Sequence, residues 1–250
     1  MRRLDGRVCV VTGVASGLGR AIAGELAHEG GLVVGCDVED DGGQETMAGI
    51  GTYRHADVSR EADVVALLAA ASDLHGRLDV MVNNAAIQIE EELAETSEEQ
   101  LDRVLGTNLK GVFFGCKHAV RTMRPAGGGA IVNVASILAL VGDVILAAYC
   151  AAKGGVLGIT RATAVQYGAD GIRCNAICPG DIDTPLVQAY FDTAADPAAL
   201  RAEVSAEYPL GRIAQPREIA RAVVFLASDD ASFMSGQTLV VDGGLLATCY

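Results

Sequence analysis

Short apolar runs recur along this chain, and each stops on a residue able to turn the backbone or bind something. Residues 7–12 stop at Gly13, 32–36 at Asp37, 78–82 at Asn83, 130–135 at Ser136 and 172–178 at Pro179. A run with no polar alternation marks a strand buried on both faces, which in practice means a parallel sheet. Parallel strands need long crossovers, and the intervening segments carry helical patterns, as where Val64, Val65, Leu67 and Leu68 gather on one side of residues 60–75. A more polar stretch at 52–56 closes on Asp57-Val58, and 238–241 precedes Asp242-Gly243-Gly244. The pattern predicts an α/β fold, a doubly wound parallel sheet of about seven strands flanked by helices. No repeat, low-complexity tract or linker interrupts it, so residues 1–250 are expected to form one domain.

Composition narrows the function classes. Half the residues are apolar, 30 are Gly and 4% aromatic, which suits buried strands joined by tight turns. A net charge of −13 leaves no basic stripe for nucleic acid. The cysteines, Cys9, Cys36, Cys116, Cys150, Cys174, Cys178 and Cys249, are odd in number and lack a C-x-x-C pair, so they read as reduced, buried thiols. The four histidines have no metal-ligand spacing, and no metal is expected. The start M-R-R-L-D-G-R has no signal-peptide core, and no apolar run reaches the ~18 residues of a membrane span. A cytoplasmic protein without membrane or nucleic-acid partners is expected.

Two stretches depart from simple alternation. Ser97-Glu98-Glu99-Gln100 is a capping box that opens a long helix to about Met123. The acids around it, from Glu90 to Glu99, read as a solvated loop and helix start; an acid/base or metal site is the alternative. Residues 183–209, punctuated by Pro185, Pro197 and Pro209, read as a substrate lid, expected to be mobile and to order when ligands fill the cleft. Pro216 suits the first turn of a further helix to about Ala227.

Chemistry gathers at two places. Gly13, Ser16, Gly17, Leu18 and Gly19 lie in T-G-V-A-S-G-L-G between a strand and a helix, where close backbone approach lets a pyrophosphate sit on the helix N-terminus. Asp37, ending the second strand, is placed to accept hydrogen bonds from an adenosine ribose. Downstream, Tyr149 and Lys153 lie four residues apart, about 40° around a helix axis. An ammonium beside a phenol favours the phenolate, so Lys153 is expected to lower the Tyr149 pKa and make it a general acid or base. Ser136 offers a hydroxyl to an oxyanion. A buried Tyr beside a snorkelling Lys is the bland alternative.

The ordered set T-G-x-x-x-G-x-G, Asn83-Asn84-Ala85-Ala86, Asn108, Ser136, Y-x-x-x-K and Pro179-Gly180-Asp181-Ile182-Asp183-Thr184 resembles the classical short-chain dehydrogenase/reductase family, over nearly the whole chain and in the family's order. The resemblance implies a Rossmann-type fold with Asn108, Ser136, Tyr149 and Lys153 as the catalytic tetrad. Tyr149 would exchange a proton with the substrate oxygen, Ser136 would bind that oxygen, Lys153 would hold the cofactor ribose, and Asn108 would position a water. Asp57 and Val58 match adenine-contacting positions, Asn83 begins a cofactor-side segment that includes Asn84 and Ala85, and Pro179, Gly180, Ile182 and Thr184 match the carboxamide-binding segment. Ala86 departs from the family's usual Gly. Asn108 also admits a purely helix-kinking role.

The implied activity is that of an NAD-dependent oxidoreductase interconverting a secondary, apolar or cyclic, alcohol and its ketone. The alternative is an NADPH-dependent 3-oxoacyl-thioester (acyl-carrier-protein) reductase; a non-catalytic dinucleotide sensor has no need of the activated phenol. NAD is expected because Asp37 repels a 2′-phosphate and Val14, Ala15, Ser16 and Val38 supply no cation. Gly154, Gly155 and Gly158 beside Val156, Leu157 and Ile159 suggest a flat helix face, and with the family's tetramers they lead to the expectation of a homotetramer; burial against the chain's own sheet is the alternative.

Overall fold

The apolar runs become strands β1 (Val8–Thr12), β2 (Leu32–Asp37), β3 (Gly51–His55), β4 (Val80–Asn83), β5 (Gly129–Val134), β6 (Ile172–Pro179) and β7 (Thr238–Val241) in the computed structural model, which describes residues 2–248. All pair in parallel, in the order β3-β2-β1-β4-β5-β6-β7. The chain starts in the middle, runs out to β3, and returns past β1 to build the other half. Crossovers therefore leave β1 and β4 in opposite directions, and a crevice opens at the carboxyl ends of these two strands. Cys249 lies outside the described residues.

Nine helices occur among the described residues: α1 (Gly17–His28), α2 (Asp40–Met47), α3 (Glu61–His75), α4 (Glu98–Leu105), α5 (Gly111–Met123), α6 (Ala147–Tyr167), α7 (Pro185–Phe191), α8 (Pro197–Glu207) and α9 (Pro216–Ala227). Alternate strand residues serve opposite layers. Val8 and Val10 pack with Leu67 of α3, Val120 of α5 and Val156 of α6. Cys9 and Val11 pack with Ile22 and Leu26 of α1 and Val223 of α9. Each such side chain contributes about 1.5–3 kcal/mol by leaving water. β3 is the polar exception because it is the sheet's edge, where its side chains are largely exposed.

The expected helix from Ser97 to Met123 is not continuous. The capping box is present, with Ser97 Oγ accepting from Gln100 N and Gln100 Oε1 from Ser97 N. A π turn, Gly106–Lys110, then separates α4 from α5, with Asn108 at its centre. Asn83, expected beside the cofactor, is instead buried: its Nδ2 donates to Asn133 Oδ1 at 2.8 Å, and Asn133 Nδ2 donates to Thr160 Oγ1 at 2.9 Å, tying β4, β5 and α6 together. The expected flat face on α6 is corrected in part. Val156 and Leu157 belong to the chain's own core, and a Cβ on Gly155 would meet Leu109, whereas Gly158 faces open space.

Candidate active site

The glycine turn follows β1. Gly13 and Gly17 both have positive φ, +76° and +52°, where side-chain-bearing residues are strained. A Cβ on Gly19 would stand 1.7 Å from the Gly13 carbonyl oxygen, so the turn closes on α1 only with glycine there. Ser16 occupies the N-cap of α1 in extended conformation, but its hydroxyl makes no cap. The first-turn N–H groups are thus left to a ligand, and an anion at a helix N-terminus suits them. Thr12 braces the turn from below. Its hydroxyl accepts from Asn84 N and Ala85 N, both at 3.0 Å, while Asn84 Nδ2 donates to the carbonyls of Thr12 (2.9 Å) and Gly13 (3.2 Å).

Asp37 ends β2 beside this turn. Its Oδ2 accepts from Ala15 N at 2.8 Å, and its Oδ1 from Val38 N at 2.8 Å and Glu39 N at 3.1 Å. A carboxylate has about four acceptor positions, so one stays open, on Oδ2, for a ribose hydroxyl. The residues present therefore fit a dinucleotide. The expectation that no cation stands near is corrected: Arg20 Nη2 donates to Ala15 O at 2.8 Å and pairs with Glu45 at 3.1 Å. That guanidinium is matched by a carboxylate of its own. Asp57, after β3, accepts from Ser59 N at 2.9 Å, while Val58 is buried against Gly111 and keeps little surface for a ligand.

Ser136, Tyr149 and Lys153 converge at the end of β5 and the first turns of α6. Ser136 caps a short 3₁₀ turn, its Oγ accepting from Leu138 N at 3.1 Å, which leaves its proton for the Tyr149 oxygen or a ligand. Lys153 is buried, and its Nζ donates to Val134 O at 2.8 Å while lying 5.4 Å from the Tyr149 ring centroid. Burial lowers the ammonium to about 8. Burial likewise raises the Tyr149 phenol to about 12, against a hydrogen bond with Ser136 that pulls it down; the charge of Asp181 adds to the rise. The expected lowering of Tyr149 by Lys153 is thus not seen: the ammonium is aimed at a main-chain carbonyl rather than at the phenol oxygen.

Asn108 is fully buried, and its side chain is spent on one partner, with Oδ1 accepting from Ile87 N and Nδ2 donating to Ile87 O, both at 2.8 Å. Ile87 itself was missed in the sequence, since a side-chain bond to backbone 21 residues away has no pattern. On the other side of the crevice, β6 ends at Pro179, Gly180 N donates to Val241 O at 3.2 Å, Ile182 bridges to Ala214, and Thr184 stands at the N-cap position of α7 with no cap from its hydroxyl. Thr184 lies 3.3 Å from where a Cβ on Gly17 would stand, so this segment overhangs the glycine turn.

Among the described residues no three His, Cys, Asp or Glu side chains gather as a metal site, and no helix is long and apolar enough to cross a membrane. The sequence pattern of a family described as enoyl-(acyl carrier protein) reductase matches residues 13–246. The chain is 46% identical over 248 residues to cis-4-hydroxycyclohexanecarboxylate dehydrogenase of Sinomonas cyclohexanicum, covering 96% of this chain and 97% of that one. It is 40% identical over 254 residues to 2-(R)-hydroxypropyl-CoM dehydrogenase of Xanthobacter autotrophicus, covering 96% and 99%. The crystal structure of levodione reductase superposes with a TM-score of 0.95 at 38% identity, covering 99% of this chain and all of that one.

Proposed function

The chain belongs to the short-chain dehydrogenase/reductase family, and from that premise we propose that it is an NAD-dependent dehydrogenase interconverting a secondary alcohol of apolar or cyclic skeleton and its ketone. The observation that carries the reading is the meeting of the Ser136 hydroxyl, the Tyr149 phenol and the Lys153 ammonium at the mouth of a crevice built for a dinucleotide. A nicotinamide cofactor, when bound, supplies the hydride chemistry of the reaction. Gly13, Gly17 and Gly19 would accept its pyrophosphate and Asp37 its ribose, with Ile182 and Thr184 at the far end.

The chain's own residues handle the proton. In oxidation the Tyr149 oxygen takes the proton of the substrate hydroxyl, and in reduction it returns one to the forming alkoxide. Ser136 would turn its proton from the Tyr149 oxygen to the same substrate oxygen, holding it toward the phenol. Lys153, mostly charged at neutral pH, places a positive charge beneath the ring and would bind the ribose hydroxyls. Asn108 fixes Ile87, which opens the loop that borders the site. The cyclohexane ring in the name of the Sinomonas relative's substrate supports the cyclic skeleton.

The phenol sets a pH dependence whose sign differs with direction. Oxidation needs phenolate, and burial has raised the phenol, so kcat/KM for oxidation climbs from about pH 6 to about 8, above which Lys153 loses the charge that the site uses. Reduction needs the neutral phenol and gains nothing over that range. Identical profiles in both directions would contradict the assignment of Tyr149.

NAD is preferred because the Asp37 carboxylate, fixed by three main-chain N–H groups, meets a 2′-phosphate with like charge. Steady-state oxidation of a cyclohexanol should favour NAD over NADP by at least about 10²-fold in kcat/KM, or ~2.7 kcal/mol. Asp37→Ser with Val38→Arg should narrow or reverse that ratio. An unaltered ratio in the double variant would show that Asp37 does not set it. A homotetramer is part of the same proposal, and light scattering that finds a monomer would remove it.

A further inference from the structure

The segment leaving β6 presents alternate residues to different neighbours. Thr184 overhangs Gly17, while Asp183, one residue earlier, turns to the lid: its Oδ1 and Oδ2 accept from Nη1 and Nη2 of Arg201 at 3.0 and 2.7 Å, and its Oδ2 also from Gln215 Nε2 at 3.3 Å. The main chain here is held as well, with Asp183 N donating to Ala214 O at 2.8 Å and Ala214 N to Asp181 O at 2.9 Å. Arg201 lies in α8, with its guanidinium over the ring of Phe191 of α7, 5.7 Å from the centroid. Phe191 is buried with Tyr208 and Ile213 in a small core separate from the two sheet layers. The Tyr208 hydroxyl accepts from Asp181 N and donates to Asp181 Oδ2, both at 2.8 Å.

The lid thus has a core of its own, and side-chain bonds at Asp181 and Asp183 fasten it to the strand end. The ion pair is partly exposed, so it adds little to global stability. Its forked, two-bond geometry fixes direction more than it adds energy. Such a weak but directional tie suits an element that opens and closes.

We infer that Asp183 and Arg201 are a positioning pair: their ion pair couples closure of the α7–α8 lid to the placement of residues 182–184 over the glycine turn, so that cofactor and substrate engage one fastened unit. The inference rests on the proposed placement of a nicotinamide cofactor beside Ile182 and Thr184.

The test combines NADH titration by fluorescence, steady-state kinetics and hydrogen exchange over residues 185–207. Asp183→Asn and Arg201→Gln should each raise the NADH Kd and the alcohol KM about tenfold, a usual size for coupling between sites, with kcat within about threefold of wild type. Both should speed exchange in 185–207 and leave β1 and β4 unaffected. The double variant should be no worse than the worse single within about twofold, because the second change removes nothing further. Arg201→Lys, which keeps the charge but not the fork, should fall between. A pair with a structural role alone would lower Tm and the active fraction with Kd and KM per folded molecule unaltered. That result, or additive single effects, would overturn the inference. A wild-type protein that binds NADH yet oxidises no alcohol would overturn the proposed activity instead, while Kd and exchange still decide the role of the pair.

Discussion

Tyr149→Phe lowers kcat/KM for alcohol oxidation by about 10²-fold or more, the usual scale for a general acid or base. The substitution removes one hydroxyl and keeps the ring that lies near Lys153 Nζ, so NADH affinity by fluorescence titration stays close to wild type. The residual activity also loses its rise with pH. Lys153→Ala is more damaging to the rest of the site. It strips the buried Val134 carbonyl of its hydrogen-bond donor and removes the charge beneath the ring, so both turnover and cofactor affinity fall. Near-full activity in Tyr149→Phe would remove the phenol from the mechanism.

Gly19→Ala abolishes measurable NADH binding. The new methyl would stand 1.7 Å from the Gly13 oxygen and 2.7 Å from the Gly13 carbonyl carbon and Asn84 Nδ2. Two of these atoms are main chain, so relief requires moving the turn itself, at a cost of about 1–3 kcal/mol in stability. The same substitution at Gly24 is the control. It meets nothing within 4 Å in the interior of α1, and replacing a helical glycine there stabilises by about 0.5–1 kcal/mol. Thermal melts and NADH titrations of the two variants separate a cofactor-turn effect from a general intolerance of alanine. Normal NADH affinity in Gly19→Ala would show that the turn relaxes more readily than its contacts indicate.

What the sequence made legible follows from which interactions are local. Continuous apolar runs located the central strands, and the order Gly13 to Gly19, then Asp37, placed a dinucleotide crevice, because strand burial and turn chemistry are written in neighbouring residues. Even the polar strand β3 was found through the acid that follows it. What stayed hidden depends on tertiary partners. Asn108 is an ordinary helical position until Ile87 is brought to it from 21 residues away. Val156 and Leu157 look like a subunit face in one dimension and turn out to be core. Arg20 reaches back to the Ala15 carbonyl in the folded turn, and Arg201 meets Asp183 across 18 residues, beside the small core of Phe191, Tyr208 and Ile213. The pKa expectation failed for a related reason: helical spacing put Lys153 beside Tyr149, but it could not show that Val134 claims the ammonium and that burial raises the phenol.

The most direct measurement sets two initial-rate series side by side on the wild-type protein: a cyclohexanol with NAD, and an acetoacetyl-thioester with NADPH. The Asp37 carboxylate would meet the cofactor ribose, the nearby Arg20 guanidinium is paired with Glu45, and the chain's net charge of −13 is a poor match for an acidic carrier. The cyclic alcohol with NAD should therefore turn over readily, faster as pH rises, and the thioester with NADPH should be slower by at least about 10²-fold in kcat/KM. Turnover of the thioester with NADPH alone would contradict both the cofactor and the substrate assignment.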